Sequence, residues 1–536
     1  MNIIRVSSIL LNLESSLDEV KSAAAKRLNI KISDIVDIKI IKKAVYDKNI
    51  DDIKFKYTVD VILSDCIKYT LRHIDKDISY TKPVNYIPIT SNIEKKTENP
   101  LIVGSGPAGL FCALILAEAG LCPVIIERGK DTDNRDVHIK ELIENGILNE
   151  QTNIQFGEGG AGTYSDGKLK IGMMTPIKHK ILDEFIKAGA DPEIKYLEKP
   201  HIGTDKLKQI LKGLRKYIES LGGTYKFETK MTDIIIKDNK LSGIRTESLN
   251  NQTVINSNTV ILATGHSARD TFEMLYHLNI PMNCRPFGIG LRIEHHQEYI
   301  NRIRYKKFSK HSELIPADYH LVTHLKNTRS VYSFCMCPGG YVIPATSENN
   351  CLVTNGMSLQ KRDGINANSA LLVSITEKDF KSQHPLAGIE FQRNLEKKAF
   401  SVGGGNYTAP IQRLEDFMNN KLSKTLGDVL PTYKPDTRFV KSNEYLPEYV
   451  SDSIRFAVKD MDNWLNGFYY PDAILTGIET RSTSPIKIER DKYMQCPVVN
   501  GLFFCGEGSG YSGGIISSAA DGINCANNVI CLLNEK

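Results

Sequence analysis

Leu101-Ile-Val-Gly-Ser-Gly-Pro-Ala-Gly-Leu110, with Val124-Ile-Ile-Glu127 following it, decides how this chain is read. A short apolar run enters a glycine-rich turn, and a helical pattern leaves it. Gly104 suits the tight turn. Gly106 has no side chain to hold the backbone off a pyrophosphate, and Gly109 lets the helix pack closely on a sheet. Pro107 and Ala108 open the helix, where a first-turn proline forfeits no hydrogen bond. Glu127, followed by Arg128, ends the next strand about 20 residues on, where a carboxylate can take the hydroxyls of an adenosine ribose. A lone GxGxxG is a weak signal, because an ordinary α/β domain also contains glycine-rich turns. Here strand, turn, helix, second strand and acid occur in order, and they predict a dinucleotide site.

The bulk properties are those of a soluble protein of 536 residues, 41% hydrophobic and 24% charged, with a net charge of +5. That charge is small for the length and disfavours a dedicated nucleic-acid protein. No apolar run is long enough to span a bilayer, and Met1-Asn-Ile-Ile-Arg-Val6 lacks signal-peptide order. Eleven cysteines are scattered, several in apolar runs (Cys112, Cys505, Cys531). They read as reduced, mostly buried thiols in a cytoplasmic protein.

Residues 1–82 read as a small α+β domain of β-α-β-β order. Ile3 to Val6 begins a strand, and Ser16 to Leu28 has helical spacing with Leu17, Val20, Ala24 and Leu28 on one face. Ile35 to Val45 and Lys54 to Leu63 alternate as strands, around a polar turn at Asp47 to Asp52. Its mild basicity reads as a solvated surface. RNA binding is the sharper alternative, but no aromatic-rich strand supports it. Residues 83–100 read as a linker. The dinucleotide domain then appears in two parts, 101–284 and 485–536, around an inserted α+β substrate or cap domain, 285–484. The inserted part has strand-like pieces at Ser330 to Phe334 and Tyr341 to Ile343. The predicted class is α/β: a discontinuous Rossmann-like domain of the glutathione-reductase type, an insertion and a small N-terminal domain.

Two further motifs choose the dinucleotide. Thr259-Val-Ile-Leu-Ala263-Thr264-Gly265 ends a strand at a turn. Leu502-Phe-Phe-Cys-Gly506-Glu507 ends another, and the turn at Gly513 and Gly514 opens a helix at Ile515. A carboxylate after that strand can bond a ribityl hydroxyl. The following helix N-terminus offers backbone donors where negative charge collects on a reduced flavin. A nicotinamide cofactor has no ribityl chain and needs no such element, so FAD is predicted. No second GxGxxG has strand and helix context. Gly403-Gly-Gly-Asn-Tyr407 reads as a turn or substrate loop, which argues against a separate NAD(P) domain, and NADH or NADPH remains a candidate transient electron donor. No CxxC or Cys-x4-Cys pair follows the first helix, so a disulfide of the glutathione-reductase kind has no obvious carrier.

These residues resemble a bacterial family of FAD-dependent dehydrogenases, described as FAD-dependent or NAD(FAD)-utilising proteins, along nearly the whole chain. The segments that carry the resemblance are Phe156-Gly-Glu-Gly-Gly-Ala-Gly-Thr-Tyr-Ser-Asp-Gly-Lys168, Met336-Cys-Pro-Gly-Gly-Tyr-Val342, Asn355-Gly-Met-Ser358, Gly404-Gly-Asn-Tyr407 and Glu479-Thr-Arg-Ser-Thr-Ser-Pro485. The N-terminal match is weaker, and Ala44-Val-Tyr-Asp-Lys48 departs from the family's run there. The resemblance implies FAD and a dehydrogenase-like fold, and no substrate.

Gly159, Gly160 and Gly162 can bring backbone close to the isoalloxazine, or pack on the pyrophosphate. Asp166 and Lys168 either bind cofactor or pair with each other. His266 follows the Ala-Thr-Gly turn, near the cofactor. Arg285, Arg292 and Arg481 can clamp a carboxylate or phosphate, although structural pairing is the plainer reading. Tyr341 is a candidate proton donor or a packed tyrosine. Cys335-Met-Cys337 is half a zinc site with no matching pair. In a strand its thiols share one face, which disfavours a disulfide; buried packing is the plainer reading, with a pocket thiol or redox pair as alternatives. Glu294-His-His296 reads as a polar loop, and no metal site is predicted. The expectation is an FAD-dependent oxidoreductase acting through flavin N5 on an unidentified small molecule. The alternatives are a flavin monooxygenase, or a flavin-binding regulatory protein whose N-terminal domain recruits RNA or protein.

Overall fold

Three apolar tripeptides far apart in the chain lie side by side: Leu502–Phe504, Val260–Leu262 and Leu101–Val103. In the computed structural model, which describes residues 3–64, 76–91, 99–170, 172–249, 251–326 and 329–535, they begin a five-stranded parallel sheet continued by Val124–Ile126 and Thr224–Lys226. Leu101–Val103, Val260–Leu262 and Leu502–Phe504 are short, apolar and fully buried, as strands covered on both faces require, whereas the far edge Thr224–Lys226 is polar and partly exposed. Ile102, Ile125, Ile261 and Phe503 point to the side covered by helices Pro107–Glu118 and Ile515–Asn534. Their neighbours Leu101, Val103, Ile126, Leu262 and Phe504 point to the other side. A three-stranded antiparallel sheet, Lys230–Lys237, Lys240–Ser248 and Asn251–Asn256, adds Met231, Ile234 and Ile244 to that layer. Helix Pro107–Glu118 is apolar on every side and buried from Ala108 to Ala117. The last helix crosses it closely, since a Cβ on Gly522 would lie 2.0 Å from the Ala108 carbonyl oxygen.

The middle of the chain forms a seven-stranded sheet in the order Val322–His324, Ser330–Cys337, Asn366–Ile375, Phe287–His296, Ile474–Glu479, Ala409–Arg413, Thr437–Phe439. All pairs are antiparallel except the last. Helix Glu448–Trp464 lays Val450, Ile454, Ala457 and Met461 into the core beside it. Glu294-His-His296 is not a loop. It ends the central strand Phe287–His296, where His295 hydrogen-bonds the Phe468 carbonyl at 2.9 Å and Glu294 accepts from Thr432 and Asn366. The chain enters and leaves this unit through two short strands that pair antiparallel, Met282–Cys284 and Ile486–Ile488.

The N-terminal region has the strands Ile3–Leu11, Ile35–Tyr46 and Lys54–Leu63 around helix Leu17–Leu28. A fourth short strand, Ile78–Thr81, completes the sheet. Ser16 and Glu19 form a capping box at the helix start, and Asn29 ends it in the left-handed region. Val20, Ala24 and Leu28 are buried, but Leu17 lies at the helix start and is exposed. The strand Ile35–Tyr46 is an edge. It exchanges backbone hydrogen bonds with residues 196–198 through Lys43, and Asp47 pairs with Arg304 at 2.5 Å. Of the segment expected as a linker, Tyr86 bonds Asn527 on the last helix at 3.0 Å.

Candidate functional site

The glycine-rich turn after Leu101–Val103 faces a deep cleft, and charged side chains hold its shape from behind. Gly104 has φ +105°, and a Cβ on Gly109 would lie 1.9 Å from the Gly104 carbonyl oxygen, so turn and helix touch backbone to backbone. Gly106 faces open space, with only the Gly160 Cα at 3.9 Å from where its Cβ would stand. Glu127 is buried beneath the turn. One carboxylate oxygen accepts from the Ser105 amide and hydroxyl at 3.0 and 2.8 Å, the other from the Gly129 and Gly157 amides at 3.0 Å. Its lone pairs are therefore engaged by the protein, and a ribose hydroxyl reaching it would displace the Ser105 hydroxyl. The Gly159 amide in turn donates to the Ser105 carbonyl.

The loop 153–162 is built around Arg135, which stands on helix Thr132–Asn145. Its guanidinium is wholly buried and donates to the carbonyls of Asn153, Ile154, Glu158 and Gly160 at 2.7–3.0 Å. This scaffold presents Gly160, Ala161 and Gly162 to the cleft opposite Gly106 and Ile515. Nothing in the sequence pattern singled out Arg135, because an arginine on a polar helix reads as solvated.

At the far end, the turn after Leu502–Phe504 is pinned by Asp521, which accepts from the Gly506 amide at 2.8 Å and pairs with Arg490. Glu507, Gly513, Gly514 and Ile515 line the cleft beside it. Burial pushes the Glu507 carboxyl up to about 7, against the pull of Arg285. Arg285 itself lies outside the cleft wall, with Nη1 buried and without a hydrogen-bond partner among the described residues.

The opposite wall comes from the seven-stranded sheet (Phe334, Cys335, Glu479), the segment after its strand Ile474–Glu479 (Arg481, Ser482, Thr483) and Asn355 on the separate short strand Thr354–Ser358. Arg292 lies behind this wall, fully buried. It is taken up by Glu479 at 2.6 Å, by Asn368 and Asn355, and by the Cys335 carbonyl, which leaves it no free donor face for a substrate. Arg481 and Arg269 share the buried Glu396, and against the cost of burial they hold its carboxyl far below the usual range. His266 lines the cleft with Nδ1 2.9 Å from the Ser267 hydroxyl. Burial, with Arg481 and Arg269 nearby, pushes its pKa down to about 4, so the imidazole is neutral at physiological pH. Asp166 and Lys168 pair at 3.2 Å, and Asp166 is also gripped by Arg362.

The structure thus brings Gly104, Gly106, Pro107, Ala108, Glu127, Arg128, Gly160, Gly162, Ala263, Thr264, Gly265, Gly506, Glu507, Gly513, Gly514, Ile515, His266 and Arg481 to one cleft. Gly109 and Gly159 stand behind it. A Cβ on Gly159 would meet Leu211 and Thr163 at 2.3 Å, a packing role. Tyr341 is on the hairpin Gly340–Pro344/Thr354–Ser358, packed in a satellite cluster with Ile343 and Ala345, and does not reach the cleft. Glu348, Cys351 and Glu396 lie close enough to suggest a cation site, but Arg269, Arg393 and Arg481 already occupy the two carboxylates.

A dinucleotide carrying a flavin fits these walls. The cleft is open at Gly106 and Gly265, where a Cβ would find at most one atom within 4 Å, and it ends beside the buried Glu507 carboxyl. Residues 99–284 match the pyridine nucleotide-disulphide oxidoreductase family, and residues 286–482 match the FAD-dependent protein, C-terminal domain-like, family. An uncharacterized protein of Clostridium beijerinckii is 44% identical over 528 residues, spanning 98% of both chains. The chain belongs to this family of FAD-dependent proteins. The family is one of oxidoreductase flavoproteins, and among the described residues no helix is long and apolar enough to cross a membrane. Among solved structures, a flavin-dependent brominase triple mutant is 11% identical, covering 82% of this chain and 81% of its own at a TM-score of 0.37. A 3-ketosteroid dehydrogenase from Rhodococcus jostii RHA1 is 12% identical, covering 84% and 100% at 0.37. Scores of that size carry nothing about activity.

Proposed function

We propose that this protein is a dehydrogenase or reductase that binds FAD along the cleft and exchanges an electron pair with a small organic substrate held against the wall of the seven-stranded sheet. The observation that carries this reading is the continuity of the cleft: three glycine-bearing turns, over 400 residues apart at the extremes, line one channel with Phe334, Cys335, Glu479 and Arg481. FAD, when bound, supplies reversible two-electron chemistry at N5. In this reading Gly104 to Ala108 and the helix start behind them take the pyrophosphate, with Glu127 and Arg128 at the adenosine end. Gly160, Gly162, Ala263 to Gly265 and Gly513 to Ile515 hold the flavin end. Glu507, with a pKa near 7, can donate or accept a hydrogen bond there, and His266, kept neutral, does not oppose a cationic neighbour. NADH or NADPH serves as a transient electron donor in this scheme.

The test is purification of the full chain with quantification of bound flavin. Anaerobic reduction by NADH and by NADPH follows, then reoxidation by oxygen and by a panel of unsaturated acids and quinones. One FAD per chain and turnover with an organic acceptor are expected. Absence of flavin, even after reconstitution, refutes the reading. Reoxidation by oxygen alone with an oxygenated product moves the protein to the monooxygenases.

A further inference from the structure

We propose that Cys335 and Cys337 form a redox-active dithiol in the wall of the cleft, closing reversibly to an intramolecular disulfide as an electron pair passes to an acceptor beside it. In an unbroken strand, residues two apart are about 6.6 Å from Cα to Cα with parallel side chains, near the outer limit a disulfide spans. That objection fails here, because the strand Ser330–Cys337 is bulged at this point. Phe334 pairs with Ala370 and Cys337 with Asn368, which leaves one extra residue between them, and Cys335 adopts φ +45°. The backbone turns at Cys335, and the Cys337 thiol donates to the Cys335 carbonyl at 3.2 Å.

The surroundings suit a thiolate. Cys335 lines the cleft and Cys337 is buried behind it, an attacking sulfur and a resolving one. Two cations clamp the bulge: Lys168 donates to the Met336 carbonyl and Arg292 to the Cys335 carbonyl. The hydrogen bond from Cys337, with Lys168 and Arg292 alongside, holds Cys335 well below the ordinary thiol range. Its partner's hydrogen bond and burial hold Cys337 well above it. One proton of the pair thus leaves easily and the other is kept, the asymmetry a dithiol needs to open and close. No second glycine-rich or CxxC motif is required, because the pair is delivered by the substrate-side wall.

Closure breaks two S–H bonds, forms one S–S bond and releases two electrons and two protons. A low-molecular-weight disulfide takes up all of them and leaves as two thiols. Bound flavin takes up the same electron pair, and only that second acceptor rests on the function proposed above.

The test maps thiols in the flavin-loaded and the flavin-free chain after a small excess of oxidised glutathione, followed by alkylation and trypsin. The peptide Ser330–Lys361 carries Cys335, Cys337 and Cys351. It is expected to be lighter by two hydrogens, alkylated only at Cys351, and restored by a reductant. Cys335→Ser and Cys337→Ser abolish the bridge, and Cys351→Ser retains it. Without oxidant, alkylation of Cys335 reaches half its limiting rate below about pH 8.5, and Lys168→Met moves that midpoint upward. Alkylation of both Cys335 and Cys337 after oxidation overturns the proposal, as does a bridge to Cys351 or a glutathione adduct that never resolves. A chain that forms the bridge but binds no FAD sinks the flavin reading and leaves the dithiol standing.

Discussion

Replacing Arg135 by methionine should disorganise the loop that faces the glycine-rich turn. The guanidinium makes four bonds to carbonyls. Of these acceptors, the Glu158 carbonyl keeps a second donor, the Thr163 hydroxyl at 3.0 Å. The carbonyls of Asn153 and Ile154 lose their only hydrogen bonds among the described residues. An orphaned buried acceptor costs about 1–3 kcal/mol, so two cost about 2–6 kcal/mol. Part is offset because the cation is buried without an ion pair among the described residues, and methionine removes that desolvation cost. A net loss of about 2–4 kcal/mol follows, together with weaker flavin binding, since Gly160 and Gly162 depend on the same carbonyls for their position. Urea unfolding of the variant and the parent reads the first quantity, and flavin titration of each apoprotein reads the second. A change below about 0.5 kcal/mol with unaltered flavin affinity would refute the argument.

Glu507→Gln should flatten a pH dependence. A carboxyl that titrates near 7 in the fold and near 4.5 unfolded binds more protons folded between those values, so stability falls as pH rises through the window and is lowest above it. Removing the group from the flavin-free protein should add at most about 3 kcal/mol at pH 8 and almost nothing at pH 4, read by unfolding at both pH values. Gly109→Ala places a methyl 1.9 Å from the Gly104 carbonyl oxygen. A loss of about 3 kcal/mol and of retained flavin is expected, and a stable yellow protein would show that the helix has room to move. Glu396→Gln strips the shared carboxylate from Arg269 and Arg481 and should cost about 3–5 kcal/mol in urea.

What could be read in the sequence was whatever depends on neighbours in the chain. Leu101 to Val103, Val260 to Leu262 and Leu502 to Phe504 announce themselves because each is apolar throughout and reaches a glycine within three residues of its end. The helix Leu17–Leu28 shows its spacing, although Leu17 itself is exposed. Strand order in the seven-stranded sheet was not legible, since it joins residues 287–296, 366–375 and 474–479 across long gaps. Polar residues misled where tertiary partners decide. Glu294 and His295 look like a loop until Thr432 and the Phe468 carbonyl satisfy them. Arg292 could be a clamp or a structural pairing from its sequence alone, and Glu479 makes it the pairing that was the plainer reading. Arg135 looks like surface, because its partners are carbonyls and carbonyls have no sequence signature. The bulge at Cys335 was hidden for the same reason.

The order of the parallel sheet also sets an order in time. Leu101–Val103 and Val260–Leu262 are made first, and the outer strand Leu502–Phe504 and the helix Ile515–Asn534 that closes over Pro107–Glu118 follow about 400 residues after the first turn. At synthesis rates of about 5–20 residues per second, the first turn waits about 20–80 s for the last. Until the final helix emerges from the ribosome, the apolar flank of Pro107–Glu118 lacks its cover. A nascent chain is thus committed to a large insertion before it can close its nucleotide fold, and a message cut before the codons of Leu502–Phe504 and Ile515–Asn534 would encode a protein unable to close.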